Sequence, residues 1–385
     1  MERNPKFDDI RPYYDDEVAT AIERLLKDSQ FQMAMNYVIK YRNWEEVEKT
    51  LRKFSNLHDF QCWAANTIVV GLLNKSTTSV TCNGLEDVSK TTAYTYISNH
   101  RDIILDASIL GVKLLENGLD TVEVAIGDNL LLTESIKDIV RLNKSFIVKR
   151  NLPVRQTLEA SSHLSKYICY AIKNKKQSVW IAQREGRAKN SDDRTQESVL
   201  KMLAMGGDKS FLKNLMEINL LPATFSYEHD PCDFLKAKEF QQRRDNPDFK
   251  KTQEDDLLSM KTGLLGYKGS VHLQIGNPIN QSLSGLNESL GRNELAKEIA
   301  SLIDNEIFRN YKFFPINYIA YDRLWGKNLF REKYTSEDIK DFDRYFKQQL
   351  NKIDLPNKDI PFLEEKMMEM YAYPVRNNYE LKIKN

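Results

Sequence analysis

The run Asn99-His100-Arg101-Asp102-Ile103-Ile104-Leu105-Asp106 sets an imidazole beside two carboxylates, directly after a strand-like segment at 92–98. A neutral imidazole takes a proton from an alcohol when an acceptor holds its other nitrogen in the right tautomer, and Asp is the usual acceptor. His100 is therefore the candidate base, with Asp102 and Asp106 as candidate orienting groups. On a regular helix neither +2 nor +6 lies over the starting residue, the rotations being roughly 200° and 240°. His100 thus belongs in a loop, ahead of the helix that opens near Ile103. The bland alternative is that Asn99 and Asp102 simply cap that helix. His-Arg-Asp also begins the catalytic loop of protein kinases, but Ala107 stands where that loop needs Asn. The chain has neither Asp-Phe-Gly nor Gly-x-Gly-x-x-Gly, which argues against kinase chemistry.

Two further clusters follow apolar runs. Lys149, Arg150 and Asn151 come after Phe146-Ile147-Val148, and Arg184-Glu185-Gly186-Arg187 comes shortly after Val179-Trp180-Ile181-Ala182. Arg offers a planar fork that grips a phosphate through two hydrogen bonds, and Gly186 permits a close backbone approach. A phosphorylated substrate is the inference, against the alternative of cations on a solvated face or paired with Asp192 and Asp193. A third strand end, Glu228-His229-Asp230, invites a metal-site reading. Consecutive residues on a strand point different ways, so a structural turn is favoured there and no metal is expected.

These residues need a scaffold. The chain has 385 residues, 41% of them hydrophobic and 29% charged, enough for a large core plus an accessory region. Lys and Arg total 56 against 55 Asp and Glu, so no global charge draws the chain to nucleic acid. Cys62, Cys82, Cys169 and Cys232 are scattered without zinc spacing or a disulfide framework, which fits a reducing cytoplasm. No signal-peptide core opens the chain and no apolar run is long enough to span a bilayer. Residues 1–85 show helical spacing. Strand candidates at 92–98, 121–126, 145–150, 178–182, 223–227 and 271–275 then alternate with helical stretches, over residues 86–285. This is the pattern of an α/β fold, a largely parallel sheet flanked by helices, with its chemistry at the carboxyl ends of the strands. Residues 286–385 are expected to form a C-terminal helical extension packed on that domain.

In order and spacing the blocks around His100, 146–150, 184–187 and 222–228 resemble those of the glycerolipid acyltransferases, which include glycerol-3-phosphate acyltransferase and 1-acylglycerol-3-phosphate acyltransferase. The similarity covers roughly residues 90–280, and residues 10–17 are similar to the opening of larger bacterial members. One departure is in the first block. The family has four residues between His and Asp, whereas five separate His100 from Asp106, and Asp102 lies only two along. Asp106 follows the apolar triplet 103–105 and is the closer match. Asp102 suits a helix's first turn.

The resemblance implies direct transfer of an acyl group from a thioester, on coenzyme A or acyl carrier protein, to a hydroxyl of a glycerol-phosphate acceptor in phospholipid biosynthesis. His100 would be the base and Asp106 or Asp102 its partner. Arg150 and Arg187 would hold the phosphate, with Arg101, Lys149, Glu185 and Gly186 as further substrate-site residues. No cofactor or metal is expected. The product's acyl chain implies peripheral contact with the inner face of a membrane. Alternatives are a degenerate relative that binds an acyl chain or acyl carrier without turnover, a thioesterase, and an acyltransferase for another hydroxylated lipid.

Overall fold

A computed structural model of the chain describes residues 3–39, 43–326 and 328–384. Among the described residues, seven strands form one sheet in the order β1-β7-β6-β2-β5-β3-β4. They are β1 (Thr77–Asn83), β2 (Thr95–Ser98), β3 (Glu123–Gly127), β4 (Ser145–Val148), β5 (Val179–Ala182), β6 (Leu220–Tyr227) and β7 (Gly269–Ile275). Strands β2 to β6 run parallel. β7 is antiparallel to β6, and β1 is parallel to β7, so only one edge is reversed.

The parallel strands are short and apolar because helices cover both faces. Neighbouring residues point to opposite sides of the sheet, as the period of two requires. Ile97, Ile181 and Leu220 join an apolar layer with helices Val154–Tyr170 and Arg292–Arg309. Tyr96, Trp180 and Leu221 join the opposite layer, with helix Leu105–Glu116. β2 lies at the middle of the sheet and all four of its residues are buried, so the loop after it starts from a strand covered on both faces.

Helices Asp15–Leu26, Ser29–Val38, Trp44–Leu51 and Leu57–Trp63 share a separate apolar cluster that also takes Leu142. The stretch 1–85 is not helical throughout, however. β1 lies within it, and its sequence Thr77-Thr78-Ser79-Val80-Thr81-Cys82-Asn83 is polar because it forms a half-exposed sheet edge. At the other end of the chain, helices Pro315–Trp325, Ser336–Asn351 and Ile360–Lys384 enclose a fourth cluster, to which Ala237 of helix Asp233–Asp245 contributes. The strand expected at 223–227 starts earlier, at Leu220, and runs through Pro222. That proline is tolerated one residue beyond the β7 ladder, which begins at Ala223, and its carbonyl accepts from Gly276 N at 2.9 Å.

Candidate active site

The loop from Asn99 to Ile104 joins the carboxyl end of β2 to helix Leu105–Glu116, and its own polar groups fix its shape. Asn99 is fully buried. Its Oδ1 accepts from Phe225 N at 2.8 Å, and its Nδ2 donates to Phe225 O at 3.0 Å and to Asp193 Oδ2 at 3.1 Å. Asp102 Oδ1 accepts from Ile104 N at 2.9 Å and Leu105 N at 2.8 Å, satisfying two orphan donors of the helix start. Gly263 is what lets a second helix, Gln253–Leu265, press on this cap, since a Cβ there would overlap Asp102 Oδ2.

Of the two carboxylates that the sequence leaves open, Asp106 is the one that meets His100. Its Oδ2 lies 2.8 Å from His100 Nδ1 and also accepts from Arg101 N at 2.7 Å and Asp102 N at 3.1 Å. Oδ1 accepts from the Tyr227 hydroxyl at 2.9 Å. Asp106 is completely buried, whereas the His100 side chain remains 13% exposed. An ionised carboxylate only accepts, so Nδ1 donates, and in the neutral imidazole Nε2 is then the acceptor. Among the described residues nothing hydrogen-bonds Nε2. The edge of the ring packs on Trp180 of β5, with centroids 5.5 Å apart, which limits rotation of the imidazole.

Asp102 plays a different part. Burial, reinforced by the Asp106 charge, pushes its carboxyl above the usual range, against the pull of the two helix N–H groups and of Arg187. It is 5% exposed, and among the described residues no hydrogen bond joins it to the imidazole.

The cations divide sharply. The Arg101 guanidinium is 8% exposed and grips Asp193 through two nitrogens, at 2.6 Å and 3.3 Å. The sequence expectation places Arg101 among the substrate-binding residues; in the structure its charge pairs inside the protein, tying the His100 loop to the loop after β5. Lys149 points to Asp9, at 2.5 Å. Arg150 reaches from the end of β4 to Glu185, at 2.9 Å, so the clusters after β4 and β5 meet across the end of β3. Its buried Nε has no hydrogen-bond partner among the described residues. Gly186 has φ +68°, the left-handed turn that glycine allows without strain, and is exposed. Arg187, next to it, is half-buried, and its Nη1 is buried with no partner among the described residues. Its charge is felt at Asp102 and Asp230.

Glu228, His229 and Asp230 diverge. Glu228 accepts from Ser270 N at 2.7 Å, the His229 ring lies 4.4 Å from that of Tyr345, and Asp230 pairs with the buried Lys236. No group of three metal-ligating side chains occurs among the described residues. No helix among them is long and apolar enough to cross a membrane. Sequence reasoning gave no role to Tyr227 or Trp180. The available signal was their position, aromatic residues in strands that end beside the candidate base.

No protein-family model matches the chain, and no curated protein sequence does either. Three chains among solved structures are similar. One is the 1-acyl-sn-glycerophosphate (LPA) acyltransferase PlsC from Thermotoga maritima, at 11% identity and a TM-score of 0.34, over 74% of this chain and 92% of that one.

Proposed function

We propose that the protein is an O-acyltransferase, moving a fatty acyl group from a thioester to a hydroxyl of a glycerol-phosphate acceptor. The observation that carries this is the His100–Asp106 pair at the carboxyl end of the central parallel strand, with Nε2 unpartnered among the described residues. In the proposed step Nε2 takes the proton of the acceptor hydroxyl as its oxygen attacks the thioester carbonyl. Asp106 stabilises the imidazolium that forms. Collapse of the tetrahedral intermediate breaks the C–S bond, and the imidazolium returns the proton to the leaving thiolate. The chain's own residues supply this chemistry, without a cofactor or metal.

Arg187 and Arg150 are the proposed phosphate contacts. Each has a buried guanidinium nitrogen without a partner among the described residues, and such a nitrogen is costly unless a ligand completes it. A phosphate would compete with Glu185 for Arg150. Glycerol-3-phosphate and 1-acylglycerol-3-phosphate both fit this chemistry. The acyl product requires access to lipid. Val154 is 90% exposed and Leu158 63% exposed on the helix that starts just after Arg150, beside the exposed Arg155. These residues are the proposed contact with an anionic membrane surface.

The test is to incubate one acyl thioester, on coenzyme A or acyl carrier protein, with glycerol-3-phosphate, 1-acylglycerol-3-phosphate and their dephosphorylated counterparts, and to identify the products by mass spectrometry. Ester formation on the phosphorylated acceptors supports the proposal. Release of free fatty acid alone makes the protein a thioesterase, and acyl binding without turnover makes it a carrier.

A further inference from the structure

Asp106 has two carboxylate oxygens, and only one of them serves His100. Oδ2 takes the imidazole and two backbone N–H groups. Oδ1 takes the hydroxyl of Tyr227 at 2.9 Å, a contact made across 121 positions of sequence. The carboxylate is completely buried, so without that hydroxyl Oδ1 would lose the only hydrogen bond it receives among the described residues. Tyr227 is the last residue of β6 and its backbone pairs with Val271 of β7. Two residues earlier, Phe225 exchanges both of its backbone hydrogen bonds with the Asn99 amide. β6 is thus fastened to the loop on both sides of the imidazole, through Asn99 before it and Asp106 after it.

We propose that Tyr227 is a positioning residue of the pair: its hydroxyl fixes the plane of the Asp106 carboxylate and takes up part of its charge, and so sets the pH at which His100 becomes the neutral base. This rests on the acid–base role given to His100 above. Burial, together with the charges of Asp106 and Asp102, holds the Tyr227 hydroxyl well above its usual range, so it remains a donor at every working pH. A hydrogen bond donated to the far oxygen draws negative charge away from the near one and weakens the hold on imidazolium. Taking the donor away concentrates that charge on His100.

The experiment follows the His100 ring resonance by NMR as pH is varied in the full chain, which has five histidines, with assignment by His100→Gln. In Tyr227→Phe the midpoint should move to higher pH by about half a unit or more, and the acid limb of kcat/KM should move with it. Replacing Tyr227 alone by 3-fluorotyrosine keeps the shape and makes the hydroxyl more acidic, hence a stronger donor, and should move the midpoint the other way. This second variant decides the matter if Tyr227→Phe does not fold. Midpoints that stay at the parent value, or that move in the same direction in both variants, overturn the proposal. The resonance needs no turnover, so the two ideas fail separately. Full transfer activity in His100→Ala would sink the base assignment and leave the hydrogen-bond relay standing.

Discussion

Asp106 and Asp233 are both fully buried carboxylates that receive tyrosine hydroxyls, yet they sit in regions of opposite character. Asp106 takes one tyrosine, two backbone N–H groups and an imidazole whose other nitrogen has no partner among the described residues. Asp233 takes Tyr345 and Tyr371, both at 2.7 Å, and the Gln349 amide at 2.6 Å. Those three donors lie on helices Ser336–Asn351 and Ile360–Lys384, so this carboxylate fastens the C-terminal helices to the helix that Asp233 opens. Burial and hydrogen bonding are common to both, so they do not by themselves mark Asp106 as part of the proposed site. What distinguishes Asp106 is that its network ends on a proton acceptor still able to take a partner from outside. The network of Asp233 ends on groups that already hold one another.

The largest effect expected from this contrast comes from two matched substitutions. Asp106→Asn should lower kcat by about 10³-fold, because the amide cannot hold the imidazole as the carboxylate does. Asp233→Asn should leave kcat within about threefold and instead lower thermal stability by about 1–3 kcal/mol, since one amide oxygen cannot serve donors on both sides. Steady-state kinetics and thermal melts of the two proteins check this, and comparable losses of kcat in both would erase the distinction. Asp102→Asn belongs with Asp233→Asn, because the Asp102 carboxylate caps a helix and makes no hydrogen bond to His100 among the described residues.

A smaller effect sharpens the contrast among the cations. Arg187→Lys keeps the charge but loses the planar fork, and should raise acceptor KM about tenfold with little change in donor KM. In Arg101→Lys, where the guanidinium grips Asp193 inside the protein, the loss should appear first as a lower melting temperature. If Arg101→Lys raises acceptor KM at unchanged stability, the division between structural and substrate-facing arginines is wrong.

The smallest effect is the pH dependence of stability. Burial, reinforced by the Asp230 charge, pushes Asp233 up to about 7, and burial pushes Asp304 up to about 6, against about 3.9 for an unfolded Asp. Between those values the folded chain retains protons that the unfolded chain has released, so these groups make stability fall as pH rises from about 4 to about 7. Burial lowers Lys268 to about 8, against about 10.4 unfolded. There the unfolded chain binds the extra proton, so stability rises again between about pH 8 and 10. Melting curves of the parent minus those of Asp233→Asn isolate the first limb, which should slope downward with pH. A difference independent of pH would show that Asp233 does not titrate in this range.

The strands after residue 90 are legible in the sequence because short apolar runs between helices are what a covered parallel sheet requires. β1 is not, because an edge strand needs no apolar face, and Thr77-Thr78-Ser79 reads equally well as a loop. At the site, residue type and order pick out His100 with two carboxylates. The choice between Asp102 and Asp106 depends on how the loop turns back over the first turn of the helix, which spacing does not encode. Nor does local sequence distinguish Arg101 from Arg187. The first is neutralised by Asp193, 92 positions away, and Tyr227 reaches Asp106 from still farther. Such contacts are set by strand order, since β6 and β5 flank β2.

His100 is the proposed base for transfer to a phosphorylated alcohol. The most direct test of this role is the rate of acylated product formed from an acyl thioester and 1-acylglycerol-3-phosphate or glycerol-3-phosphate, measured by mass spectrometry for the parent and for His100→Ala at equal folded concentration. A loss on the order of 10³-fold with an unchanged melting profile is expected. Product formation at the parent rate by the folded variant would contradict it.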